Sequence, residues 1–248
     1  MKVAITISGQ PRKIYAGFKE CKKYFLDKYD CDVYLHGWKD KVFHKYDFFN
    51  EGKLQNIYKP SENTYKNILD WYQPKNYLFE KGIQFDATDI KGSNNQRLNS
   101  QLSMFLSLKR AWDLVEESGI KYDYIIRTRY DLLFTHHVAA DSPFLNDITQ
   151  LDPNYVNTFG YSNQETDPLN MDDRFAIGGY DVMKTYHNLF PTQIYYHFED
   201  PKYDEWLTNL DKFVNETIIY YHCNEHYLPI AGIIDGNLDS NSGPKVIR

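Results

Sequence analysis

Residues 122–134 read YDYIIRTRYDLLF, a run of aromatic and β-branched residues that is typical of a buried strand. We predict a long central strand here. The preceding residues predict a helix at 96–118, because apolar side chains recur every three or four positions and Gly119 supplies a stop. These apolar positions are Leu98, Leu102, Phe105, Leu108, Trp112 and Val115. A strand that follows a helix after so few residues is typical of an α/β unit.

The same alternation is visible earlier in the chain. Val3–Ile7 is a short β-rich run, residues 13–28 have helical spacing, and Asp32–Gly37 has the pattern of a second buried strand. Ser61 is predicted to cap a helix that ends near Tyr72, and a strand follows at 76–80. This helix and this strand complete a third unit. This order predicts an α/β fold with a mainly parallel central sheet and helices on both faces. Such a sheet binds its ligands at the carboxyl ends of the strands.

Further along the chain the alternation loosens. Short strands are predicted at 155–159 and 175–178, and a helix is predicted near 203–215. Because no linker divides the chain, we predict a single domain over 1–248, with a polar tail at 235–248.

Charge and cysteine content limit the classes of partner. With 28 Lys and Arg against 34 Asp and Glu, the net charge is -6, and no basic cluster that would hold a nucleic-acid backbone is visible. No apolar run has the length of a membrane span or a signal-peptide core. The spacing of Cys21, Cys31 and Cys223 fits neither disulfides nor a metal site. We therefore expect a cytoplasmic protein without nucleic-acid or membrane partners.

The segment RTRYD, residues 127–131, carries the strongest functional signal. Alternate residues of a strand share a face, so Arg127, Arg129 and Asp131 are predicted to lie side by side. Burying these charges is costly unless they are paired or meet a charged ligand. We predict that the arginines hold a diphosphate and that Asp131 binds a divalent metal, Mn²⁺ or Mg²⁺. A salt bridge between Arg129 and Asp131 at the exposed end of the strand is the alternative interpretation.

Two other strand ends carry residues that suit a nucleotide. In Ser8-Gly9-Gln10-Pro11-Arg12, Gly9 lets the backbone approach a ligand and Arg12 offers a forked donor. Trp38, after the second strand, is placed to stack on a base or a sugar. A plain strand-to-helix turn and a core tryptophan are the alternatives. The patterns GxGxxG and GxxxxGK[ST] are absent, which argues against a dinucleotide cofactor and a P-loop.

Two carboxylates precede the strand predicted at 175–178. Asp172 and Asp173 come before it, and Gly178 and Gly179 close it. This order predicts that the backbone at the two glycines lies close to a sugar and that one of the two carboxylates acts as the catalytic base. A turn rich in aspartate, which caps the strand, is the alternative.

The segment HCNEHY, residues 222–227, combines imidazoles with a carboxylate. It differs from HExxH, which argues against a zinc protease. Two functional interpretations are open: Glu225 as a base or an acceptor contact, and His222 as a metal ligand. An ordinary helix start is the alternative interpretation.

Together these motifs resemble the viral and bacterial glycosyltransferases of the GT-A fold. The segments are ISGQPR (7–12), SMFLSLKRAWDL (103–114), IIRTRYDLLF (125–134), DDRFAIGG (172–179) and NEHYLPIAGI (224–233). The resemblance implies that Asp131 matches the last acid of an Asp-x-Asp motif, which holds the donor diphosphate through Mn²⁺ or Mg²⁺, while Arg129 replaces the first acid. It also implies that the DDRFAIGG segment cradles the donor sugar and that Glu225 lies where a base sometimes follows.

The sequence thus predicts a glycosyltransferase that moves a hexosyl or pentosyl group from a nucleotide-diphosphate donor, with UDP favoured, to a glycan acceptor. We expect inversion, with Asp173 or Glu225 as base and a cation at Asp131. Residues 1–134 would bind the donor nucleotide and residues 135–234 would form the acceptor and catalytic half. A sugar nucleotidyltransferase and a non-catalytic carbohydrate- or nucleotide-binding protein are the alternatives.

Overall fold

The structure is a computed structural model of the whole chain. It describes residues 1–39, 43–46, 54–58, 60–85, 95–134, 147–159, 171–207, 215–232 and 245–246. The strands are β1 Val3–Ile7, β2 Cys31–Lys39, β3 Phe43–Tyr46, β4 Leu54–Tyr58, β5 Asn76–Lys81, β6 Tyr124–Thr128, β7 Leu132–Leu133, β8 Val156–Thr158, β9 Ala176–Gly178, β10 Ile230–Gly232 and β11 Lys245–Val246. The α-helices are α1 Ile14–Cys21, α2 Glu62–Tyr72, α3 Asn95–Glu117, α4 Tyr180–His187, α5 Leu189–Phe198, α6 Pro201–Leu207 and α7 Asn215–Glu225.

A seven-stranded sheet forms the centre of the fold, in the order β10-β8-β9-β6-β1-β2-β5. The four strands β5, β2, β1 and β6 are parallel, and β10 is parallel to β8. Strand β9 runs antiparallel to both of its neighbours, β6 and β8. Every residue of β1 and β6 is buried, as expected for the middle strands of a covered parallel sheet. The predicted mainly parallel α/β architecture is confirmed.

Helices cover both faces of this sheet. Because successive side chains of a strand point to opposite faces, Val3 and Ile5 of β1 pack with Ile68 of α2, whereas Ala4 packs with Phe105 and Trp112 of α3. The α3 prediction is confirmed: its periodic apolar side chains are buried. Within the described ranges, no helix combines the length with the apolar character that crossing a bilayer requires.

Local signals explain where several elements begin and end. Ser61 caps α2 through a capping box with Thr64, as its position in the sequence predicts. The predicted helix at 13–28 is α1 followed by a π-helical turn, Lys22–Leu26. Of the helix predicted near 203–215, residues 203–207 lie in α6 and Asn215 begins α7, whereas residues 208–214 lie outside the described residues.

The run 122–134 is not one strand. Strand β6 ends at Thr128, Arg129 to Asp131 form a turn, and β7 then pairs with β11. The turn is fixed by Tyr130, a fully buried side chain whose hydroxyl donates to the carbonyl oxygen of His36 at 3.1 Å. In the predicted tail at 235–248, the structure describes only Lys245–Val246, the strand β11.

The three cysteines are unpaired. Cys21 and Cys223 are buried, and Cys31 is partly buried. Burial raises the pKa of the Cys31 and Cys223 thiols to about 12, so both are inert, neutral side chains near pH 7.

The strand order places a topological switch point at β1. From β1 the chain proceeds to β2 and β5 on one side, and it later returns to β6 on the other side. In sheets of this kind a crevice opens outside the carboxyl ends of the two strands where the order reverses, and ligands bind there. The residues that follow β1 and β6 therefore define the place to look for a site.

Candidate functional site

The loop after β1 is tied to the end of β6. The backbone N–H of Ser8 donates to the carbonyl oxygen of Thr128 at 3.3 Å. Gly9 has a φ of +110°, which favours glycine, and a Cβ added there would meet nothing within 4 Å. The side-chain oxygen Oε1 of Gln10 is buried and has no hydrogen-bond partner in the described residues. The backbone is thus open to a ligand at Gly9, beside a buried acceptor that lacks a donor.

Arg12, Arg129 and Asp131 form one charged cluster, which we call the arginine clamp. Arg129 donates from Nε to Oδ1 of Asp131 at 3.0 Å and from Nη2 to Oδ2 at 3.2 Å. Nη2 of Arg12 lies 3.0 Å from the same Oδ2. The Asp131 side chain is 0% exposed, whereas the side chains of Arg12 and Arg129 are 24% and 21% exposed. The clamp therefore carries one net positive charge and presents only its guanidinium groups to solvent.

A divalent cation at Asp131 does not fit these contacts. Mg²⁺ and Mn²⁺ need oxygen ligands with free lone pairs, and a neighbouring guanidinium repels them. Both carboxylate oxygens of Asp131 already lie at hydrogen-bond distance from guanidinium nitrogens. In the part of the chain that the structure describes, no group of three or more His, Cys, Asp and Glu side chains could hold a metal.

Arg127 lies apart from the clamp. Because β6 ends at Thr128, the alternation of faces stops before Arg129, and the predicted row of three charges does not form. Arg127 is 1% exposed, and its Nε and Nη1 have no hydrogen-bond partner in the described residues. Burial lowers the pKa of this guanidinium. Tyr186 and Asp173 have the opposite effect and raise that pKa.

Asp172, Asp173 and Glu216 form a second cluster, which we call the acidic cluster. Because β9 is antiparallel, the residues before it lie at the carboxyl edge of β6 and β8. Asp172 accepts three bonds from Arg174, one from its backbone N–H at 2.7 Å and two from its guanidinium group at 2.8 and 2.6 Å. Oδ2 of Asp173 accepts from Nδ2 of Asn215, the first residue of α7, at 2.9 Å.

Glu216 is the carboxylate that sequence reasoning missed. Burial, together with the negative charge of Asp173, raises the pKa of Glu216 to about 7. This carboxyl group therefore changes its charge near neutral pH. The helix predicted near 203–215 leaves Glu216 outside it, and nothing in the sequence shows that the first turn of α7 packs beside Asp173.

Arg127 connects the two clusters electrostatically. The charges of Asp173 and Asp172 raise its pKa, and the charge of Arg129 lowers it. The structure thus brings a cationic clamp, a buried guanidinium with unfilled donors and an acidic cluster to one edge of the sheet.

Trp38 is part of the core. It is 2% exposed, packs against Leu106 and Phe190, and meets the ring of His36 edge-on at 4.7 Å. These contacts correspond to the alternative interpretation of Trp38, a core tryptophan at the end of β2.

Gly178 and Gly179 lie away from both clusters. Gly178 pairs with Ile125 near the start of β6, so the end of β9 lies toward the opposite edge of the sheet. A Cβ at Gly178 would lie 2.6 Å from the carbonyl oxygen of Tyr155, and one at Gly179 would lie 2.8 Å from that of Pro153. In the structure these glycines permit close backbone packing, and they are not near the acidic cluster.

The structure does not bring Glu225 or His222 to the acidic cluster. Glu225 is exposed at the last residue of α7, about 15 Å of helix rise from Asn215. His222 is buried: Nε2 donates to the carbonyl oxygen of Thr185 at 2.9 Å, and Nδ1 accepts from the hydroxyl of Tyr196 at 3.0 Å. Burial lowers the pKa of His222 to about 4, so it is a neutral core side chain with both nitrogens engaged.

Comparison with known proteins finds similarity among solved structures. No family model matches the chain, and no curated protein matches it. Among solved structures, the chain is similar to the crystal structure of a glycosyltransferase involved in the glycosylation of the major capsid of PBCV-1. The identity is 12%, with 82% of this chain and 77% of that chain covered and a TM-score of 0.32. A similarity of this size carries no argument about activity.

Proposed function

We propose that this chain is a glycosyltransferase, which moves a sugar from a nucleotide-diphosphate donor to a glycan acceptor. The observation that carries the proposal is the pairing of two charge environments at the switch-point edge of the sheet. The arginine clamp suits a departing diphosphate, and the acidic cluster supplies a carboxylate that titrates near neutral pH. Sugar transfer from a nucleotide donor needs both functions in one crevice.

The leaving group is stabilised by guanidinium groups. As the bond between the anomeric carbon and the diphosphate oxygen breaks, its electron pair passes to the diphosphate. Each hydrogen bond from a charged donor to that oxygen contributes about 1.5–3 kcal/mol. Arg12 and Arg129 are already oriented by Asp131, so little side-chain ordering remains when the charge develops.

Glu216 takes the proton of the acceptor hydroxyl. The acceptor oxygen forms a bond to the anomeric carbon while its proton passes to the carboxylate, and the diphosphate departs from the opposite side. A base acts best when its pKa lies near the working pH, and the pKa of Glu216 is raised to about 7. Asp173 has an indirect role, because its negative charge helps to raise the pKa of Glu216. One base without an enzyme nucleophile gives inversion at the anomeric carbon.

The unfilled donors of Arg127 suit a polyhydroxylated ligand. A buried N–H without a partner costs about 1–3 kcal/mol, and a sugar hydroxyl would satisfy it. We assign the donor nucleotide to residues 1–134 and the acceptor to residues 135–234, within one domain. UDP is the favoured nucleotide of the donor.

Turnover of nucleotide sugars tests the proposal. Purified protein is incubated with UDP- and GDP-linked hexoses and pentoses and a panel of oligosaccharide acceptors, and release of nucleoside diphosphate is measured. We expect acceptor-dependent release from at least one donor. Glu216→Gln should lower it about 100-fold or more, because the proton acceptor is lost. Glu225→Gln, at an exposed position on the same helix, is the matched control and should keep full turnover.

Two results would contradict the proposal. The first is a panel in which no donor is consumed with any acceptor. The second is release of pyrophosphate from a nucleoside triphosphate and a sugar 1-phosphate, which would identify a nucleotidyltransferase instead.

A further inference from the structure

The contacts of Asp131 determine what the arginine clamp can bind. Oδ1 accepts from Nε of Arg129, and Oδ2 lies 3.2 Å from Nη2 of Arg129 and 3.0 Å from Nη2 of Arg12. A cation that replaced these contacts would leave two guanidinium groups without their counter-ion and would lie beside them. Both effects oppose cation binding. The carboxylate is therefore arranged to orient arginines.

The guanidinium groups are arranged to meet an anion. A guanidinium has five N–H donors in a planar fork, and the bonds to Asp131 use only the Nε and Nη2 atoms of Arg129. Arg12 and Arg129 come from the loops after β1 and β6, so they approach Asp131 from the two sides of the switch point. Their partial exposure shows that the two arginine side chains reach solvent, whereas Asp131 is buried.

Two features beside the clamp also suit a ligand. Backbone at Gly9 is open, and Oε1 of Gln10 is a buried acceptor without a donor. The first turn of α1, which begins two residues after Arg12, contains no acidic residue and has no side-chain cap. Among the described residues, the two guanidinium groups favour an anion and the Gln10 oxygen favours a hydrogen-bond donor beside it, as in a nucleoside diphosphate.

We propose that the arginine clamp binds the diphosphate of the nucleotide donor directly, through Arg12 and Arg129, without a resident divalent cation. This inference rests on the proposed function and specifies how the donor is held. Asp131 is a positioning residue: it holds both guanidinium groups in place and contacts neither the phosphate nor a metal.

Nucleotide binding by the full chain tests the inference without any turnover. After treatment with EDTA, the protein is titrated calorimetrically with UDP, GDP and UMP, and the titrations are repeated with saturating Mn²⁺ or Mg²⁺. We expect UDP or GDP to bind the EDTA-treated protein, with an affinity that the cation changes less than about twofold. UMP should bind about tenfold more weakly, because one phosphate contact is lost.

Three variants locate the binding. Arg129→Ala and Arg12→Ala should each weaken diphosphate binding about tenfold or more in the absence of metal. Because the two arginines lie on different loops, a folding failure of one variant leaves the other informative. Arg110→Ala removes a positive charge from a half-buried position on α3, where the side chain pairs with Glu80, and should leave binding unchanged.

The outcomes separate this inference from the proposed function. Binding that appears only with Mn²⁺ or Mg²⁺ would overturn the metal-free clamp and leave the proposed glycosyltransferase intact. Nucleotide binding that is insensitive to both arginine substitutions would also overturn it. A protein that binds neither nucleotide diphosphate, with or without the cations, would overturn the clamp and the proposed function together.

Discussion

Replacing Glu216 with glutamine should stabilise the protein at alkaline pH and not at acidic pH. The pKa of this carboxyl group rises from an ordinary value of 4.5 to about 7 in the folded chain, through burial and the charge of Asp173. The folded state therefore binds a proton more tightly than the unfolded state does. As the pH rises from 4.5 to 7, this group alone makes the native state progressively less stable.

The magnitude follows from the size of the change in pKa. Each tenfold difference in proton affinity corresponds to 1.36 kcal/mol, so the full cost of ionising Glu216 is about 3 kcal/mol above pH 7. Glutamine has nearly the same shape and never ionises. The free energy of unfolding of Glu216→Gln should thus match that of the wild type near pH 4.5 and exceed it by up to about 3 kcal/mol near pH 8.

Urea denaturation at a series of pH values measures this difference. Glu225→Gln is the control, because it makes the same chemical change at an exposed side chain at the other end of the same helix. A difference between Glu216→Gln and the wild type that stays constant from pH 4.5 to 8 would refute the reasoning. The same titration should appear in turnover, which should fall about tenfold per pH unit below pH 7 if Glu216 is the base.

Three further substitutions test the edge of the sheet. Gly17→Ala should lower the melting temperature in thermal unfolding, because the added Cβ would overlap the carbonyl oxygen of Tyr130. This overlap should outweigh the gain of about 1 kcal/mol in helix propensity. Arg127→Met should keep or raise the melting temperature, because it removes buried N–H groups that have no hydrogen-bond partner in the described residues. It should also raise the KM for the nucleotide sugar. An unchanged KM would exclude Arg127 from the sugar site. Asp131→Ala should leave a folded protein, by circular dichroism, that has lost donor turnover; full turnover would reject its role.

The overall architecture could be predicted because its signals are local. The buried run Val3–Ile7, the apolar period of α3 and the cap at Ser61 each specify an element from a few neighbouring residues. Alternation of such elements leaves few arrangements other than a mainly parallel sheet. It also indicates correctly that the segments 8–12 and 129–131 meet at one edge.

The details of the site depend on contacts that are distant in sequence. A strand pattern alone cannot show that β6 stops at Thr128, because the turn is held by Tyr130 reaching His36, 94 positions earlier in the chain. The row of charges predicted from period two fails for this reason. Glu216 was missed because its pKa depends on Asp173, and Asn215, which bonds to Asp173, lies 42 positions away along the chain.

The reversed direction of β9 has a consequence for how such a chain can diverge. In an all-parallel sheet, every ligand contact comes after a strand, and the segments that follow the strands all change together when the ligand changes. Here the residues of the acidic cluster lie before β9 and at the start of α7, whereas the residues of the arginine clamp lie after β1 and β6. The two halves of the crevice are thus encoded in separate stretches of the gene. Under the proposed function, substitutions that alter acceptor preference would fall in one stretch, and those that alter nucleotide binding would fall in the other.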